Sequence, residues 1–206
     1  MPQPPRRGRR PRTYAAVLEA TSGLLATTSL AELSVAQILE AAGVGRTSFY
    51  EHFASKDDVV VKLMASLSDE VALELGPMFE RGDRSPDEAF RLGLTNLVDA
   101  ASRYAPLVIA VAEEWPAIPE LGTIWFAMLG DFTARLARLI DRERAAGVAP
   151  PGADAQALAA SLVWTAERSF HVAAGGDHPT LVNPGVLVEP LVQLFVGSIY
   201  GRAVRA

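Results

Sequence analysis

Cysteine is absent from all 206 residues. Its absence rules out a disulfide framework and any thiolate-based metal centre. Histidine is nearly as scarce, with three. His171 and His178 flank Gly175-Gly176, which breaks any helix face they could share. No His-Glu-x-x-His pair, phosphate loop or nucleophile motif occurs, so nothing points to an enzyme, and no cofactor or metal is expected. Glu113-Glu114 and Asp57-Asp58 are read as solvated or dipole-facing acids. Charges, Gly or Pro interrupt every apolar run before the roughly 18 residues that a membrane span needs. The Arg-rich start is not followed by the apolar core of a signal peptide, so the chain is expected to be cytoplasmic. Alternation with a period of two is missing as well, which removes the signal for strands.

What remains is hydrophobic and helical. Half the residues are hydrophobic, dominated by Leu, Ala and Val. The chain reads as all-α, with about nine helices. Net charge is −5, unevenly spread: residues 1–62 carry +2 and residues 63–206 carry −7. Arg6, Arg7, Arg9, Arg10 and Arg12 form a cationic stretch with no acid among them. With its Pro and Gly, residues 1–12 read as a disordered basic arm able to condense on phosphates or enter a minor groove. A solubilising tail is the competing reading.

Residues 34–56 carry the most specific pattern. Ser34 is a helix cap, with Gln37 in the position of a capping box. Val35, Ile38, Leu39 and Ala42 recur at helical spacing, and Gly43 follows where a helix ends in a left-handed residue. A second short helix runs from about Gly45 to Glu51, with Phe49 and Phe53 inward. It presents Arg46, Thr47, Ser48 and Tyr50, short donors plus one Arg that suit base edges and phosphates in a major groove. This is a helix-turn-helix pattern. The string Ala-Ala-Gly-Val-Gly-Arg-Thr-Ser-Phe-Tyr-Glu-His-Phe-Ala-Ser-Lys resembles the N-terminal signature of the TetR family of one-component transcriptional regulators. The resemblance implies a dimer on double-stranded operator DNA. Arg46, Thr47 and Ser48 would touch bases, and Ser34, Tyr50, His52, Lys56 and the arm's Arg9, Arg10 and Arg12 would touch phosphates.

Around this core, Thr13 can cap a first helix to about Thr28. Ser55 caps a long helix with Asp57 and Asp58 in its first turn, which Gly76-Pro77 breaks or kinks. Ser85-Pro86-Asp87-Glu88 is a strong helix start, and further helices are expected near 86–102, 107–114, 120–146, 154–174 and 184–203. The last two are apolar over more than one stripe. A second apolar face needs a second partner, so a homodimer through these two helices is expected. The domains read as 1–12 arm, 13–60 DNA-binding head, and 61–206 ligand-binding and dimerisation body.

The stretches 141–150, Glu167-Arg168 and 196–201 resemble the ethionamide-activation-repressor branch of the family, whose members have an elongated apolar ligand channel. Carried over, that channel is implied at Phe90, Leu97, Trp125, Phe132 and Phe195. Val163 and Ala166 stand where the branch has asparagines, which removes two amide donors; Asn96, Trp164 and Thr165 are candidate substitutes. The implied effector is an apolar small molecule. A helical carrier of hydrophobic ligands without DNA binding is the alternative.

Overall fold

Ser34 and Gln37 start the helix that positions the head, and they do so by mutual hydrogen bonding. In a computed structural model the chain is described over residues 9–175 and 178–201, and the described residues contain α-helices, one 3-10 turn and no strand. Two units emerge. The first comprises Met1–Ser66 and Pro106–Ile124; the second comprises Leu67–Ala105 and Trp125–Ala206. Residues 106–124, expected in the body, group by contact with the N-terminal residues.

In the first unit α1 spans Arg9–Leu24, α2 Val35–Ala42 and α3 Arg46–Tyr50, and α4 starts at Lys56 and runs to Glu74. α1 packs on both α2 and α3. Val17, Ile38, Phe49 and Phe53 are buried between them, and Tyr14 stacks on Phe53 at 5.1 Å. α1 begins at Arg9, so residues 9–12 are helix rather than arm. Arginine is a good helix former, and Pro11 falls in the first turn, where its missing N–H costs nothing. Arg6 and Arg7 lie outside the described residues. α1 also ends earlier than Thr28: Ala26 and Thr27 donate to carbonyls three residues back, closing the helix in a turn. α7, Ala105–Glu114, falls in this unit except for its first residue, and its Leu107 and Val111 are buried.

In the second unit α5, Gly76–Phe79, is a single turn set off by the Gly-Pro break. α6, Pro86–Arg103, opens with the expected box: Glu88 N–H donates to Ser85 Oγ (3.3 Å) and Ser85 N–H donates to Glu88 Oε2 (2.8 Å). α5 lies close on α6, because a Cβ at Gly93 would sit 2.9 Å from the Cβ of Met78. α8 runs Pro119–Ala145 and α9 runs Ala155–Gly175. The last helix starts later than expected. Asn183 accepts from Gly185 N–H and opens a 3-10 turn, Pro184–Leu187, after which α10 covers Val188–Tyr200. α10 packs on α6 and α9, and Phe90 and Phe195 meet at 5.6 Å. Arg81 closes the loop before α6 onto α8 with two bonds to the nearly buried Glu143, at 3.1 and 3.2 Å.

Candidate nucleic-acid interface and small-molecule site

The turn between α2 and α3 sets what the head can present. Gly43 takes φ 63°, and its N–H closes back onto Glu40 and Leu39 carbonyls. A left-handed residue there lets α3 leave at an angle, which an L side chain would resist. Gly45 then caps α3 without a side chain. Phe49 is buried and anchors the short helix, so Arg46, Thr47 and Tyr50 are held outward, with Ser48 half-buried. Tyr50 stands edge-on to Phe49 at 5.2 Å with half its surface exposed. Ser34 is exposed but already bonded within its capping box, its hydroxyl donating to Gln37 Oε1 at 2.7 Å. His52 is half-buried beside Tyr14, ring centroids 6.1 Å apart. Arg12 is exposed on α1.

Lys56 differs from these. Its ammonium donates to the carbonyls of Leu30 (2.6 Å), Ala31 (3.2 Å) and Leu33 (2.7 Å). An ammonium has three donors, and all three are taken. Lys56 thus ties the loop before α2 to the first residue of α4, and a phosphate would have to displace one of these carbonyls. At the same helix start, burial pushes the Asp58 carboxyl up, yet the bonds from Lys62 and the Ala54 N–H outweigh it and hold the group below its ordinary value.

In the second unit, Phe90, Trp125, Ala166 and Phe195 are buried, while Leu97, Phe132 and Val163 are half-buried. Two expected polar substitutes are otherwise engaged. Asn96 donates to the Glu74 carbonyl at 3.1 Å, and exposed Thr165 donates to the Ser161 carbonyl at 2.7 Å. Trp164 is exposed and meets Phe126 at 6.0 Å. An open cleft of about 570 Å³ lies elsewhere, lined by Phe79, Glu80, Asp131, Arg135, Arg138 and Arg142, and it is polar rather than apolar. Arg135 bonds Asp131 at 2.7 Å, and Arg142 donates to the Phe79 carbonyl at 3.0 Å.

The sequence assigns no binding role to two polar residues on α9 whose atoms the structure buries. Glu167 has its Oε2 buried with no hydrogen-bond partner, and one helical turn on, His171 has its Nδ1 in the same condition. The indole N–H of Trp125 is a third such atom. The available signal was a Glu and a His four apart on an otherwise apolar helix. Among the described residues, no group of three or more potential ligands could hold a metal ion, and no helix is long and apolar enough to cross a membrane.

Residues 17–63 match the family described as bacterial regulatory proteins, tetR family, and residues 90–201 match the C-terminal domain of transcriptional regulator EthR. The chain belongs to the TetR family. Among TetR-family relatives, the HTH-type transcriptional regulator EthR of Mycolicibacterium smegmatis is 31% identical over 187 residues, covering 91% of this chain and 86% of its own. The EthR of Mycobacterium tuberculosis is 28% identical over 188 residues, covering 91% and 87%. Two solved structures share the fold. A transcriptional regulator from Rhodococcus aligns with TM-score 0.70 at 24% identity, covering 96% of this chain and 98% of that one. A TetR-family regulator from Syntrophomonas wolfei aligns with TM-score 0.74 at 13% identity, covering 95% and 99%. The protein is therefore a DNA-binding transcriptional regulator with an EthR-type C-terminal domain, and its relatives are regulators rather than enzymes.

Proposed function

We propose that this TetR-family protein is a one-component repressor that binds a palindromic operator as a dimer and answers to a largely apolar small molecule. The observation that carries the reading is the head: a boxed α2, a left-handed Gly43, and an α3 pinned by Phe49 with Arg46 and Thr47 exposed. Two such heads in a dimer would meet successive major-groove faces, about 34–36 Å apart. Arg46, Thr47 and Ser48 read bases; Ser34, Tyr50, His52 and the arginines of the N-terminus contact phosphates.

The pairing surface is the outer side of α9, α10 and the 3-10 turn before α10, where Trp164, Leu194 and Val186 stay exposed. A small molecule held among Phe90, Trp125, Phe132 and Phe195 would lower DNA affinity only by binding the DNA-incompetent state more tightly. A coupling of about 1–3 kcal/mol is the ordinary scale for such a switch. The test is selection of bound fragments from genomic DNA with purified protein. The expected result is one palindromic motif, whose preference relaxes at the position read by Arg46 on Arg46→Ala. Recovery of no motif at low salt, with ligand binding intact, would favour the carrier reading.

A further inference from the structure

Glu167 is the group that a plain hydrophobic channel does not account for. Its side chain is 6% exposed, and its Oε2 is buried without a hydrogen bond. Arg168 approaches that oxygen only to 3.8 Å, too far to bond, and the arginine side chain is 58% exposed. Burial pushes the carboxyl up from its ordinary value, with Arg168 and then His171 pulling it back. A buried polar atom without a partner costs stability, and such groups in native proteins are normally explained by an unseen water or ligand.

The neighbourhood supports a ligand. His171 lies four residues on, on the same face of α9, with its Nδ1 likewise buried and unbonded. The contact of Phe126 with Trp164 brings residues 125–126 of α8 beside α9 one turn before Glu167. Trp125 is 3% exposed, with its indole N–H unbonded. Glu167 thus sits on α9, which meets the Trp125–Phe126 segment of α8, with one of its carboxylate oxygens buried and unbonded. Val163 and Ala166, near Glu167 on α9, offer no side-chain donor. Recognition by a carboxylate selects for positive charge, because charge-assisted bonds are roughly twice as strong as neutral ones.

We infer that the effector of this protein carries a basic nitrogen at one end of an apolar or aromatic body, and that Glu167 accepts from that nitrogen. This rests on the effector reading given under the proposed function. His171 takes part as the second polar partner, and the Trp125 ring covers the apolar part.

The test uses the full chain without DNA, so operator binding does not enter. Calorimetric titration compares phenylbutylamine, a cation at neutral pH, with phenylbutanol and phenylbutyrate. The amine is expected to bind at least about tenfold tighter than the alcohol, with the carboxylate weakest. Glu167→Gln should erase the ratio of amine to alcohol affinity, and Glu167→Asp should reduce it. Equal binding of amine and alcohol, no binding of either, or a preference that survives Glu167→Gln would overturn the inference. The wild-type ratio is read without any variant, so it decides even if a variant does not fold. A failed operator selection with a clear amine preference would sink the repressor reading and leave this one standing.

Discussion

Arg46 and Lys56 lie ten positions apart in one motif, yet the structure gives them different work. Arg46 is exposed on α3, while the Lys56 ammonium is bonded to three carbonyls. Arg46→Ala is expected to cost about 1–3 kcal/mol of discrimination at one operator position with little change in melting temperature. Lys56→Ala is expected to lower stability of the head by about 2 kcal/mol and to weaken all DNA alike. Thermal melts beside binding to operator and random duplex separate the two; equal melts would remove the brace role. Glu167 allows a prediction with a sign. Its folded pKa is raised, chiefly by burial, so the folded state holds the proton more tightly than the unfolded one. Stability is then lost as pH rises from the unfolded carboxylate value through the raised folded one. Glu167→Gln should therefore melt higher than wild type at neutral pH, and the gap should close in acid. A lower melt at neutral pH would mean that Glu167 has a bonded partner.

At the scale of elements, what could be read from the chain is what local chemistry decides. Ser34 with Gln37, Gly43, and Ser85-Pro86 with Glu88 fix α2, its exit and the start of α6 by bonds within four residues, and each sits where the sequence placed it. The misses are tertiary or marginal. Residues 9–12 have both helix-forming arginines and a proline, and composition alone did not decide that the proline falls in a tolerated first turn. Asn96 was offered to a ligand because nothing nearby in sequence shows the Glu74 carbonyl that it bonds, 22 residues away. Glu167 carries no sign of burial in its local sequence, and its burial emerges only once α9 is packed. Gly93 is another such case. Its hydrogen faces Met78, and the Cβ of an alanine would come to 2.9 Å from the Met78 Cβ, an atom that cannot swing aside. Gly93→Ala is expected to destabilise by about 1–3 kcal/mol by prying α5 from α6, despite alanine's better helix propensity. A denaturant midpoint at or above wild type would contradict that packing.

For the whole molecule, charge and apolar surface point to two partners of different kind. The N-terminal 62 residues are net positive and the remainder is strongly negative, so attraction to DNA is confined to one end of the chain. Affinity for operator should fall steeply and linearly on a log–log plot against salt, whereas the proposed dimerisation should barely respond, because the surface proposed for it carries exposed apolar residues such as Leu194 and Trp164. Sedimentation at low and high salt, run beside DNA titrations, checks both. A species of about 22 kDa at micromolar concentration would defeat the paired reading.

The Lys56 tie bears on how such regulators can be recombined. A chimera that joins a foreign body at residue 55 discards the ammonium and leaves the Leu30, Ala31 and Leu33 carbonyls without their cross-link. Splice sites for swapping sensors onto this reader should sit beyond that lysine, so that the graft carries its own clasp.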